Sequence, residues 1–213
     1  MAPRFFQQVE PLNDRPIGAR KSDLRAAILA ARKIFASSNG TAAGMALAGP
    51  VLELPIFAQE GAVVGGYWPI RGEADPRPLL MALGMRRIPT ALPVVVEDDL
   101  SFHLWRDGEV LVPAGLGTFG PDTTAPVVRP SILLVPLVAF DRRGYRLGYG
   151  RGFYDRVVAR LKAAGPLATI GLAYAMQEVP AVPTEPHDQP LDYVATEHGV
   201  LVTGAPPPGR DGR

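Results

Sequence analysis

The sequence predicts an α/β fold: a single three-layer domain whose central sheet is mostly parallel. Three observations carry this. Short apolar runs of strand length alternate with segments of helical period along the chain. The most apolar run, SILLVPLVAF (Ser131–Phe140), suits a buried central strand and is too short to cross a bilayer. The 213 residues, 47% apolar and 20% charged, suffice for one full-sized core.

Residues 1–18 lack periodicity and are expected to form a loose extension. They contain no apolar stretch of signal-peptide length and carry Glu10 and Asp14. The domain is expected over residues 19–203. KSDLRAAILAARKIFAS (21–37) predicts a helix with Leu24, Ile28, Ala31 and Phe35 on one face, Ala27 and Ile34 beside them, and Arg25 and Arg32 off the stripe. Ser22 is the expected cap of this helix. AGMALAG (43–49) predicts a second helical piece, stopped by Gly49-Pro50. AVVGGYW, from Ala62, reads as a buried strand. DPRPLLMALGM (75–85) reads as a short helix with prolines in its first turn. IPTALPVVVE (88–97) is a proline-interrupted strand and LSFHLW (100–105) a half-exposed one. In SILLVPLVAF the proline falls near the strand end, where a missing N–H costs least. FYDRVVARLKAAG predicts a helix closed by Gly165. ATIGLAY and HGVLVT read as two further buried strands, and GAPPPGRDGR (204–213) as a flexible tail.

Composition removes several function classes. A net charge of +1 supplies no field for nucleic acid or an anionic membrane. With no cysteine there are no disulfides or thiolate zinc sites, which fits a cytoplasmic protein. His187 beside Asp188 lacks the further ligands that zinc requires. His103 and His198 fall on predicted strands and read as structural.

RLGYGRGFYDR (Arg146–Arg156) lies after the strongest strand and before a helix. Gly148, Gly150 and Gly152 would let backbone N–H groups approach an anion, the helix N-terminus would favour it, and Arg146 and Arg151 would add charge. The competing reading is a hairpin turn at DRRGYR (141–146), with the glycines easing a second bend. The stretch matches neither a Walker loop nor G-x-G-x-x-G. The position about twenty residues on, where a dinucleotide fold places an acid, is Leu172.

LLVPLVAFDRRGYRLGYGRGFYDRVVARL (133–161) resembles the signature of the 5-formyltetrahydrofolate cyclo-ligase family. KSDLR resembles that family's N-terminal nucleotide-contacting helix, YWPIRGEAD (67–75) its folate-contacting segment, and VPTEPHDQPLDYVATEHGV (182–200) its C-terminal segment. The likeness runs from Lys21 to about Val202. It implies a Rossmann-like sheet and an ATP- and Mg²⁺-dependent closure of 5-formyltetrahydrofolate to 5,10-methenyltetrahydrofolate. The implied partners are these small molecules alone: no nucleic acid, membrane or protein.

The resemblance also implies roles. Lys21 and Arg25 would meet the nucleotide phosphates, with Arg25 also near the folate. Arg146, Leu147, Gly148, Tyr149, Gly150, Arg151, Gly152, Phe153 and Tyr154 would wrap the triphosphate, with Arg146 and Tyr154 catalytic. Gly150 to Tyr154 would also line the folate side, together with Trp68 and Glu73. Asp155 and Asp188 would hold Mg²⁺. Bland readings stand beside these: a solvated helix face for Lys21 and Arg25, a helix-dipole acid for Asp155, a core aromatic for Trp68 and a helix-start acid for Glu73. Glycine or lysine serves family members where Arg151 stands, so its side chain is dispensable there. A binding module without turnover is the alternative function; it would have no reason to keep Glu73, Asp155 and Asp188 together. A sugar-phosphate enzyme on a similar sheet would have no reason to keep the Trp68/Glu73 segment.

Overall fold

The computed structural model describes residues 15–186 and 188–203. The larger part of the expected N-terminal extension, His187 and the expected tail lie outside them. In chain order the elements are α1 (Ile17–Leu52), β1 (Val64–Gly65), α2 (Arg77–Met85), β2 (Thr90–Val96), β3 (Asp99–Leu104), β4 (Val112–Pro113), β5 (Phe119–Gly120), β6 (Ile132–Pro136), β7 (Ala139–Phe140), β8 (Arg146–Leu147), α3 (Phe153–Ala163), β9 (Ala168–Leu172), β10 (Tyr193–Thr196) and β11 (Gly199–Val202).

Seven strands form one sheet in the order β11-β10-β9-β6-β1-β2-β3. The five inner strands run parallel, and β11 and β3 close the edges antiparallel. Alternation along β6 builds the three layers. Ile132 and Leu134 face Leu47 and Val51 of α1 and Leu79, Leu80 and Leu83 of α2. Leu133 and Val135 face Val157, Val158 and Leu161 of α3. Successive side chains of a strand point to opposite faces, so one apolar run supplies both cores.

Several expectations need correction. α1 is one helix of 36 residues, and Pro50 lies inside it. An interior proline costs about 3 kcal/mol. Leu47 and Val51 are both fully buried, and each such side chain contributes about 1.5–3 kcal/mol, so tertiary burial outweighs the breaker. The helix starts at Ile17 with Pro16 at its cap position, so Ser22 lies inside it and caps nothing. The stripe is also revised. Leu24 and Ile28 pack against a small cluster with Leu147 and Val182, and Phe35 packs on Tyr174, but Ala27, Ala31 and Ile34 are exposed while Arg32 is buried.

SILLVPLVAF divides. β6 stops at Pro136, and Ala139–Phe140 forms a separate hairpin with β8. DRRGYR is therefore a hairpin turn, anchored by Asp141, whose carboxylate accepts from the Arg143, Tyr145 and Val182 N–H groups. The glycine loop follows this hairpin. AVVGGYW contributes only Val64–Gly65 as strand. HGVLVT forms a half-exposed edge strand, its partner β10 went unread, and His198 sits in the turn between them. No helix among the described residues is long and apolar enough to cross a membrane.

Candidate active site

From β1 the chain crosses through α2 to β2 on one side; from β6 it crosses through α3 to β9 on the other. The two helices lie on opposite faces of the sheet. A crevice therefore opens beyond the carboxyl ends of the neighbouring strands β1 and β6, the usual ligand position in such sheets. It holds a cavity of about 450 Å³. The segment after β1 contributes Tyr67, Trp68, Ile70, Arg71 and Glu73; the segment after β6 contributes Arg146 through Asp155. α1 adds Lys21 and Arg25, and the C-terminal segment adds Glu185 and Asp188. Every residue expected at the site from sequence lines this one cavity.

Two of the three loop glycines are required by the backbone. Gly150 has φ 91° and Gly152, at the cap of α3, has φ 68°. A Cβ on Gly150 would stand 3.3 Å from the Arg25 guanidinium. Gly148 has open space around its Cα, and its carbonyl accepts from Arg25 Nε at 2.8 Å. The loop is thus tied to α1 while the α3 N-terminus remains available for an anion.

Charges on this side are mutually paired. Arg146, 8% exposed, donates to Asp155 at 2.6 Å and to the Gln189 carbonyl at 2.6 Å. Lys21 Nζ lies 2.7 Å from Asp188 and 2.9 Å from Glu185. Desolvation pulls the Lys21 pKa down, but the two carboxylates outweigh it and hold the ammonium above its ordinary value. Among the described residues no group of three or more acids and histidines forms a preset metal cluster. A Mg²⁺ ion takes one or two carboxylates and completes its shell with phosphate oxygens and water. Asp155 and Asp188 provide hard oxygen donors of that kind. Five cationic residues line the cavity (Lys21, Arg25, Arg71, Arg146, Arg151) against four carboxylates (Glu73, Asp155, Glu185, Asp188). The lining thus carries a surplus of one positive charge.

The opposite wall is built from buried and half-buried side chains. Glu73 is 6% exposed, and its Oε2 accepts from the Ile70 N–H at 2.9 Å. Burial raises its pKa, opposed by the Ile70 N–H, Arg32 and Tyr149. Burial, with Glu73 nearby, pushes Tyr149 up to about 12 and Tyr154 well above its ordinary range, so both phenols keep their protons at neutral pH. Trp68 stands edge-on to Trp105 at 6.0 Å, and the Arg77 guanidinium sits 5.2 Å from the Trp68 ring centre. Trp68 is thus both a core aromatic and a cavity wall. Its carbonyl accepts from Thr118, another lining residue.

Sequence reasoning missed Arg32, Arg71, Tyr67, Thr118 and Glu185. Arg32 had a signal: Lys21, Arg25 and Arg32 are spaced four and seven apart, which puts them on one helix face. The others lie in irregular segments whose side-chain direction no periodicity gives.

The model of the 5-formyltetrahydrofolate cyclo-ligase family matches residues 17–197. The 5-formyltetrahydrofolate cyclo-ligase of Mycolicibacterium smegmatis is 32% identical over 189 residues, covering 83% of this chain and 93% of that protein. The enzyme of the same name from Haemophilus influenzae is 34% identical over 132 residues, covering 59% of this chain and 70% of that protein. The NMR structure of Aquifex aeolicus 5,10-methenyltetrahydrofolate synthetase superposes with a TM-score of 0.74 at 30% identity, over 91% of this chain and 94% of that one.

Proposed function

This chain belongs to the 5-formyltetrahydrofolate cyclo-ligase family, and on that premise we propose that its cavity holds ATP and 5-formyltetrahydrofolate side by side. The chain is an ATP- and Mg²⁺-dependent cyclo-ligase that converts 5-formyltetrahydrofolate to 5,10-methenyltetrahydrofolate. One observation carries the assignment of the site. A single cavity joins a glycine-and-cation wall to a Trp68/Glu73 wall, and the reaction needs its two substrates in contact.

The chemistry explains the division. The N5-formyl oxygen is amide-like and a poor leaving group. Transfer of the γ-phosphoryl group to that oxygen makes an iminium phosphate. N10 then attacks the formyl carbon, loses its proton, and phosphate departs. Such transfer is catalysed by positioning and charge stabilisation. Backbone N–H groups of Gly148 to Gly152 and the N-terminus of α3 cradle the phosphates. Arg146, held by Asp155 and the Gln189 carbonyl, stabilises the transferring group, with Lys21 and Arg25 on either side. Tyr154, kept protonated by burial, is a hydrogen-bond donor beside the reacting oxygens. Glu73 accepts hydrogen bonds from the pterin amino-pyrimidinone edge while Trp68 contacts the ring. Asp155 and Asp188 would hold Mg²⁺, which when bound offsets phosphate charge. No nucleic acid, membrane or protein partner enters this scheme, and a cytoplasmic setting suits a chain without cysteine.

Purified protein mixed with 5-formyltetrahydrofolate and Mg-ATP should develop the near-ultraviolet absorbance of the methenyl product. Removal of either ATP or Mg²⁺ should abolish it. Undiminished product without nucleotide would refute phosphoryl activation.

A further inference from the structure

Arg32 has no exposed surface, yet it lies on the same helix face as Lys21 and Arg25, two turns beyond Arg25. Its Nη1 donates to the Leu137 carbonyl at 3.0 Å, just past β6. Its Nη2 donates to the Arg71 carbonyl at 3.1 Å and to the Tyr149 hydroxyl oxygen at 2.5 Å. Its Nε is buried with no hydrogen-bond partner among the described residues. A buried guanidinium with an unmet N–H is a poor stabiliser compared with an apolar side chain of similar size. Its value lies in what its planar fork connects.

Three segments meet at this fork: the end of β6, the turn before Glu73 and the glycine loop. Arg71 is a non-glycine residue at φ 51°, a conformation that persists only where surroundings hold it; the bond from Arg32 to its carbonyl is one such restraint. The Tyr149 hydroxyl oxygen accepts from Arg32, and Tyr149 lines the same cavity as Glu73, whose charge acts on the phenol. Chains of this kind polarise and orient each member. We infer that Arg32 is a positioning residue for the folate wall: through Tyr149 and the Arg71 turn it presets Glu73 for the pterin. This rests on the reading of Glu73 as the pterin-binding carboxylate.

Arg32→Lys keeps the charge and loses the fork, while Tyr149→Phe removes only the hydroxyl. Titration calorimetry with 5-formyltetrahydrofolate and, separately, with Mg-ATP reads the two walls apart. Each variant should weaken folate binding about tenfold or more, the scale of one charge-assisted hydrogen bond, and shift ATP affinity by less than about threefold. The double variant should bind folate no more weakly than the weaker single. A merely structural arginine would lower the melting temperature and weaken both ligands alike, and that result overturns the inference. So does full additivity of the two losses. If Arg32→Lys does not fold, Tyr149→Phe decides alone with Glu73→Gln: coupled losses sustain the inference, and unchanged folate affinity in Tyr149→Phe overturns it. Folate affinity that ignores Glu73→Gln overturns the reading of Glu73 and the inference together. Sensitivity to Glu73→Gln but not to Arg32→Lys or Tyr149→Phe overturns the inference alone.

Discussion

The two walls of the cavity are made differently. The proposed nucleotide wall consists of backbone N–H groups and charged side chains that neutralise one another: Lys21 with Asp188 and Glu185, Arg146 with Asp155. The proposed folate wall consists of buried and half-buried side chains, where Arg32 holds Tyr149 and both act on Glu73. Under the proposed function, the first wall exchanges internal ion pairs for ligand ion pairs when phosphate and Mg²⁺ bind. The second is already arranged and loses little freedom on binding. A charge removed from the first wall should therefore act on metal requirement and turnover, and one removed from the second on affinity.

The largest expected effect belongs to the nucleotide wall. Asp155→Asn and Asp188→Asn should each raise the Mg²⁺ concentration needed for half-maximal rate and lower turnover by about a hundredfold or more, the scale of lost transition-state electrostatics, with the fold retained. A magnesium titration of initial rates measures this. Wild-type magnesium dependence in both variants would reduce the two residues to partners of Arg146 and Lys21.

The folate wall should respond next. Glu73→Gln preserves shape and removes charge. Folate binding should weaken by about one to two orders of magnitude, with ATP binding little changed in calorimetry. Equal loss of both ligands would erase the distinction between the walls.

The same substitution sharpens the comparison through pH. Burial raises the Glu73 pKa in the folded state. The native protein therefore holds more protons than the unfolded chain between the two pKa values, and this group's contribution to stability falls as pH rises through that window. Relative to wild type, Glu73→Gln should gain thermal stability between about pH 4.5, the unfolded value, and neutrality. Parallel melting curves across that range would show Glu73 to be less buried than its neighbours imply.

Arg151 should give the smallest effect. It is exposed, with its guanidinium 5.9 Å from the Phe153 ring centre. Arg151→Gly and Arg151→Gln should keep turnover at saturation and raise the Michaelis constant for ATP or polyglutamylated folate a few-fold. Added salt should shrink the difference. Loss of turnover by several orders of magnitude in both variants would move Arg151 into the transition-state machinery.

Much of this site was legible before any coordinates. The glycine loop, its two arginines and the following acid are local features, and a strand before them and a helix after them place them at a sheet's carboxyl edge. The layered α/β class follows from the same local evidence, because helix and strand periods are properties of short windows. What only the tertiary structure decided is non-local. The fusion of two helical pieces into α1 depended on Leu47 and Val51 finding a core that overrode Pro50. The split of SILLVPLVAF depended on β8 pairing with its last residues. Arg32 reads in sequence as an off-stripe charge, and its burial was decided by carbonyls from Leu137 and Arg71 and by the Tyr149 hydroxyl, 39 to 117 positions away. Periodicity reports which way a side chain points; it does not report whether polar groups or water wait there.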